Sequence, residues 1–149
     1  MRTKLSISFL LAASAAASLS AHLMVSPLQS KPGATQKYEA RVHNEGKIAA
    51  TAIDLEIPDG VTVTEVAKPA TGSYTTRTAG NRITMITWQI EVPPNKYVAM
   101  PFTAKNPDSV AELHWNLHEH LADGSVVDWS DKPGSKQKGS VTKLTTGVE

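Results

Sequence analysis

The chain has 149 residues, with 15 Lys and Arg against 14 Asp and Glu and no cysteine. A net charge of +1 provides no basic surface of the kind that nucleic-acid-binding proteins use, so we expect no nucleic-acid partner. The lack of cysteine excludes disulfides and thiol catalysis, and the length suits one domain with its own hydrophobic core.

The first segment has the features of a secretory signal peptide. A basic start, Met1–Lys4, precedes an apolar and small-residue run from Leu5 to Leu19, which is shorter than the roughly 20 apolar residues of a membrane span. Cleavage after Ser20 would leave Ala21 first, whereas cleavage after Ala21 would leave His22 first. General peptidase preferences slightly favour the first of these two sites.

Residues 1–21 are therefore predicted to be a signal peptide, and residues 22–149 a single exported domain. The mature chain would have 128 residues and a net charge of −1. We expect it to be secreted or periplasmic, with no C-terminal membrane span.

The mature chain consists of short segments in which apolar and polar residues alternate, separated by turn residues such as Pro58-Asp59-Gly60 and Asp123-Gly124. Alternation with a period of two, rich in Val, Ile and Thr, is typical of half-buried β-strands. In chain order the segments are QKYEARVHN (36–44), AIDLEIP (52–58), VTVTEV (61–66), ITMITWQIEV (83–92), KYVAMPFTA (96–104), AELHWNLHEH (111–120) and SVVDW (125–129).

This pattern predicts an all-β fold, an immunoglobulin-like antiparallel β-sandwich of about seven to nine strands. Its core would contain the apolar face of each segment, including Trp88 and Trp115. The segment KPGSKQKG (132–139) is predicted to be a mobile basic loop, so the tail of the domain from about residue 132 would be partly mobile.

Enzyme signatures are lacking in the sequence. It contains no glycine-rich phosphate loop, no nucleophile elbow and no cysteine nucleophile, so we expect that the protein is not an enzyme.

Three of the five histidines fall in the run HWNLHEH (114–120). Strand alternation places His114, His118 and His120 on one face and Trp115, Leu117 and Glu119 on the other, which is the core side. Imidazoles two residues apart can share a copper or zinc ion. The same pattern also fits a solvated polar face that contains histidine, and the residues alone leave both interpretations open.

His22 is a different kind of candidate ligand. If it is the first residue of the mature chain, its α-amine and its ring nitrogen can bind one ion together, and nitrogen donors in a tetragonal arrangement favour Cu(II). Both groups must lose protons to bind, the amine with a pKa of about 7.7–8.0 and the ring with a pKa of about 6.5.

Several stretches together resemble the YcnI-like copper-binding family of exported bacterial proteins. They cover nearly all of the mature chain in the order of the family, although the family favours Pro where His43 stands. These stretches are AHLMVSP, RVHNEG, LEIPDGVTV, AKPATG, ITWQ, FTAKNP and DGSVVDW.

The resemblance implies a sandwich that binds Cu(II) through an N-terminal histidine brace, meaning the amine and ring of His22, with Trp129 facing the metal. It also favours cleavage after Ala21. The family's carboxylate ligand aligns with Ala99, which cannot bind a metal, so either another donor such as His118, His120 or Glu119 replaces it or the site binds the metal more weakly. The implied role is copper delivery, buffering or homeostasis, with a copper-handling membrane or periplasmic protein as partner.

Two alternatives remain at this point. One is an exported β-sandwich that binds a protein partner or the cell envelope without any metal, because the fold supports many such roles. The other is a copper or zinc site centred on His114, His118 and His120. The sequence predicts no oligomeric state.

Overall fold

A computed structural model describes residues 23–109 and 111–147, and the regular secondary structure within these ranges is entirely β-strand. The all-β prediction is therefore confirmed. The strands are β1 (Leu23–Ser26), β2 (Gln29–Ser30), β3 (Thr35–His43), β4 (Ala50–Glu56), β5 (Thr62–Val66), β6 (Ser73–Ala79), β7 (Arg82–Gln89), β8 (Tyr97–Lys105), β9 (Glu112–Leu121), β10 (Val126–Trp129) and β11 (Ser140–Leu144).

The strands form two sheets that pack face to face. One sheet has the order β1-β3-β8-β5, and the other has the order β2-β11-β9-β4-β7-β6, with β10 also paired to β9. All of these pairs are antiparallel except β2 with β11. The predicted antiparallel sandwich is thus correct apart from one parallel pair, and the described residues form more strands than the seven to nine expected.

The core lies between the sheets and is built from the predicted alternation. Every apolar position assigned to the inner face of the first four segments is buried, because successive side chains of a strand point to opposite faces. These residues are Tyr38, Ala40, Val42, Ile53, Leu55, Ile57, Val61, Val63, Ile86, Trp88, Ile90 and Val92.

An aromatic cluster joins the two sheets. The Trp115 ring on β9 lies 5.1 Å from the Tyr38 ring and 5.6 Å from the Phe102 ring, measured between ring centroids. The Trp115 indole N–H donates to the hydroxyl of Thr142 on β11 at 3.0 Å, so the one polar atom of this buried ring is satisfied. Trp115 is therefore a core residue, as the sequence predicts.

The first strand begins at the same end of the sandwich at which β9 finishes. Beyond β3, the Asn44 side-chain amide donates to the carbonyl of Val92 at 2.8 Å. Val92 bridges to Ala50, and Ala50 lies opposite Leu121, the last residue of β9. Because β1 runs antiparallel to β3, its first residue, Leu23, lies at this same end.

The first strand also lies along the same lateral edge as β10. Two strands occupy successive parts of one edge of β9: β11 places Ser140 opposite Trp115, and β10 places Trp129 opposite Leu117. The backbone N–H of Val25 on β1 donates to the Ser140 hydroxyl at 3.0 Å. The start of β1 and the paired strands β9 and β10 therefore lie at the same corner of the sandwich.

Within the described ranges, no helix is long and apolar enough to cross a membrane.

Candidate metal site

The β9 strand presents a different chemistry on each of its two faces. Trp115, Leu117 and Glu119 point inward and are at most 3 % exposed, whereas His114, His118 and His120 point outward. The predicted division of this strand into a core face and a histidine face is confirmed.

A buried carboxylate and an indole form a pair on the inner face. The indole N–H of Trp129 donates to a carboxylate oxygen of Glu119 at 3.1 Å, and the two residues are 7 % and 3 % exposed. Strand alternation predicts that Glu119 lies on the core side, and the family resemblance implies that Trp129 is a site residue, but neither predicts the contact between them. The sequence feature that could have indicated this contact is the presence of an acidic residue, Glu119, among the inward-facing apolar residues of β9.

This pair lies at the corner where β1 begins. Glu119 is two residues from the end of β9, which is also the end of the sandwich at which Leu23 starts β1. Trp129 lies on the same lateral edge of the sandwich as β1. Both Leu23 and Trp129 belong to the buried core. The indole and the carboxylate therefore lie at the same corner of the sandwich as the first described residue, Leu23.

On the outer face, each histidine is paired with at least one carboxylate. His118 approaches Asp128 through Nδ1 at 2.5 Å and Glu56 through Nε2 at 3.0 Å. His120 approaches Asp54 at 2.7 Å, and His114 approaches Asp131 at 2.6 Å. These carboxylates were not predicted as partners, although Asp54 and Glu56 do occupy the polar positions of an alternating segment.

The carboxylates determine the protonation of His118. Burial by itself lowers the pKa of this imidazole, but the hydrogen bonds to Asp128 and Glu56 outweigh burial and raise the pKa above its ordinary value. Burial likewise raises the pKa of Glu56, but hydrogen bonds from Lys132 and His118 outweigh it and lower that pKa. These contacts therefore favour the protonated form of His118 and the ionised form of Glu56.

We expect the stabilisation by His118 to depend on pH. Because the folded-state pKa is raised above 6.5, its contribution is complete below about pH 6.5 and is lost as the pH rises through the folded-state pKa. Glu56 contributes fully above about pH 4.5 and loses its contribution as the pH falls through its lowered pKa. Urea unfolding of wild type and His118→Gln should differ most between these limits, by on the order of 1 kcal/mol.

The matched control is His114→Gln, since the His114 side chain is 47 % exposed against 22 % for His118. Exposed ion pairs contribute less, so its effect should be smaller at every pH. A difference between wild type and His118→Gln that grows between pH 7 and 9 would contradict the assigned direction of the pKa shift.

The remaining predicted site residues lie in several places. His22 is outside the described residues. Ala99 lies on β8, exposed and opposite Arg41, away from the corner. His118 and His120 lie on the face of β9 opposite to that of Trp129, so Glu119 is the donor of β9 that lies beside this ring.

Over residues 23–109 and 111–147, no group of three or more His, Asp or Glu side chains is arranged to hold a metal ion. The ring nitrogens of the outer histidines point to separate carboxylates rather than to one common position. The described part of the chain thus supplies salt-bridged histidines on one face and the Glu119–Trp129 pair on the other.

The architecture places the chain among immunoglobulin-like β-sandwich proteins. It is similar to an uncharacterized protein from Nocardia farcinica whose crystal structure reveals an immunoglobulin-like fold, with a TM-score of 0.71 and 17% identity over 84% of this chain and 99% of that one. A non-cellulosomal cohesin from Archaeoglobus fulgidus is also similar, with a TM-score of 0.53 and 11% identity over 83% and 90% of the two chains. These likenesses confirm the predicted fold.

The chain belongs to the family described as a domain of unknown function, DUF1775, whose model matches residues 22–144. This confirms the family resemblance seen in the sequence. The chain is also similar to the copper-binding protein CutI of Bacillus subtilis (strain 168), with 26% identity over 133 residues, which is 87% of this chain. It spans 65% of the length of that relative.

Proposed function

We propose that the protein is an exported Cu(II)-binding protein that delivers or buffers copper. In this proposal, cleavage after Ala21 makes His22 the first residue, and its α-amine and ring nitrogen bind the ion beside Trp129. The observation that supports the proposal is the corner of the sandwich, which contains both the start of β1 and the buried Glu119–Trp129 pair.

The covalent structure supports this placement. His22 directly precedes Leu23 in the sequence, and neighbouring Cα atoms of a chain are about 3.8 Å apart across a trans peptide. Leu23 is anchored by its pairing with Val42 and by its burial at 7 % exposure. An ion bound by the amine of His22 would therefore lie near a rigid corner, and ligands held on strands are better preorganised than ligands on loops.

The chemistry of the corner fits copper. Cu(II) prefers tetragonal nitrogen and oxygen donors, and a terminal histidine supplies two nitrogens. The Glu119 carboxylate is 3 % exposed, and buried carboxylates in proteins are usually paired or coordinate metals. Bound copper would supply a Lewis acid and a redox-active centre at this corner.

The comparisons also support a role in copper handling. The relative from Bacillus subtilis is named a copper-binding protein, and the family match of the present chain begins at residue 22. A protein that exchanges Cu(II) outside the cytoplasm would need a donor or acceptor, which we propose is a copper-handling membrane or periplasmic protein.

The test uses the exported, untagged protein, since an affinity tag can itself bind copper. Mass spectrometry should find His22 at the N-terminus, and one equivalent of Cu(II) should give an EPR spectrum of a nitrogen-rich tetragonal site. Occupancy should fall as the pH drops through about 6, because amine and imidazole regain protons. A mature chain that begins at Ala21, or one that takes up no copper, would overturn the proposal.

A further inference from the structure

We propose that Glu119 is a copper ligand that completes the site with a carboxylate oxygen. The inference rests on the proposed function and extends it by assigning a donor from the sandwich itself. It depends on the burial of Glu119, its hydrogen bond to Trp129 and its place at the corner where β1 begins.

The carboxylate of Glu119 is buried. Glu119 is 3 % exposed and lies on the same face of β9 as Trp115 and Leu117, which are fully buried. A carboxylate on an apolar face costs several kcal/mol unless positive charge or hydrogen bonds compensate it. The Trp129 indole supplies one such hydrogen bond, and a bound divalent cation would add positive charge.

Trp129 fixes the orientation of the Glu119 carboxylate. The Trp129 indole donates to one Glu119 oxygen at 3.1 Å, and Trp129 is itself fixed on β10, which pairs with β9 along Val126 to Trp129. Hydrogen bonds from such outer partners orient metal-binding carboxylates and raise metal affinity. Trp129 would therefore act as a positioning residue for Glu119 as well as a wall of the site.

Of the two faces of β9, the inner one is directed toward the corner where β1 begins. The outer face of β9 directs His118 and His120 toward Asp128 and Asp54, away from the corner. The inner face directs Glu119 toward the core edge along which β1 runs. Among the acidic and histidine side chains of β9, Glu119 is the one that faces the side where the terminal residue joins Leu23.

The coordination preferences of Cu(II) leave room for a carboxylate donor beside the two nitrogens of His22. The amine and ring of a terminal histidine give two nitrogen donors and leave positions open on a tetragonal Cu(II) ion. A carboxylate oxygen fills one of them and also neutralises one of the two positive charges. The neutralisation is valuable at this corner because the surrounding side chains are apolar and buried.

The experiment compares the wild type with Glu119→Gln, both as mature, untagged protein. Gln has nearly the same volume and its amide oxygen can still accept from the Trp129 indole, so the apo variant should keep the wild-type melting temperature within a few degrees. We expect the dissociation constant for Cu(II) to rise at least about tenfold, because even substitutions of residues that only orient metal ligands typically weaken metal binding by about 10- to 100-fold. The EPR parameters should also shift, because an oxygen donor has been lost.

Two further variants sharpen the test. Glu119→Asp keeps the charge but shortens the side chain, so its affinity should lie between those of the wild type and Glu119→Gln. Glu112→Gln makes the same change on the same strand at a side chain that is 55 % exposed, and its copper binding should equal that of the wild type.

The outcomes separate the two proposals. If the wild type binds no copper, both the proposed function and the role of Glu119 are refuted. If the wild type binds copper and Glu119→Gln has the same affinity and the same spectrum, the copper function stands and the assignment of Glu119 is wrong.

Discussion

Replacing His22 with Ala is expected to abolish the nitrogen-rich Cu(II) spectrum of the mature protein and to weaken copper binding at least about 100-fold. The change removes the imidazole and leaves only the amine, so the two-nitrogen chelate can no longer form. EPR and a competition titration with a chelator of known affinity measure the two effects. The N-terminus of each sample is verified by mass spectrometry.

The control for this variant is His114→Ala, which removes a 47 % exposed histidine from the outer face of β9. Its spectrum and affinity should be those of the wild type. Should His22→Ala keep the wild-type spectrum, the copper ligands must lie elsewhere, and the outer histidines of β9 would be the next candidates.

Replacing Trp115 with Ala is expected to lower the free energy of unfolding by about 3–5 kcal/mol. The ring is fully buried, contacts Tyr38 and Phe102 across the two sheets, and donates to the Thr142 hydroxyl. Its loss leaves a cavity between the sheets and a buried hydroxyl without its donor. Because domains of this size are stable by only about 5–15 kcal/mol, the variant should be near the limit of folding.

Urea or guanidinium unfolding followed by circular dichroism measures this effect. Val126→Ala is a suitable control, since Val126 is 47 % exposed and surface substitutions usually change stability by less than about 0.5 kcal/mol. A loss below about 1.5 kcal/mol for Trp115→Ala would mean that the aromatic cluster contributes little to the free energy that holds the two sheets together.

The sequence predicted the strands that carry apolar alternation because burial of one face imposes that pattern. It did not predict β6, since the segment Ser73–Ala79 is exposed along its whole length and therefore shows no alternation. The β1, β2 and β11 strands are short, and their pairing depends on distant partners. Length and periodicity alone do not identify such strands.

The candidate site was predictable only in part. Alternation identified Glu119 as inward-facing, and the Asp123-Gly124 turn indicated a hairpin that leads to Trp129. The contact between them depends on the register of β10 against β9, and a shift of one residue would direct Trp129 to the other face. The proximity of β1 to this pair depends on the topology of both sheets, which local sequence patterns do not encode.

The exposed β6 strand has a consequence for the behaviour of the protein in solution. It lies at the edge of the larger sheet, and among the described strands it pairs only with β7. Its outer backbone groups therefore resemble a template for strand addition by another molecule. The pairing register shifts between Arg77 and Thr78, which distorts this template. An incoming strand would have to follow the distortion and desolvate the Arg77 guanidinium, and both requirements disfavour aggregation of a protein that exposes seven consecutive strand residues.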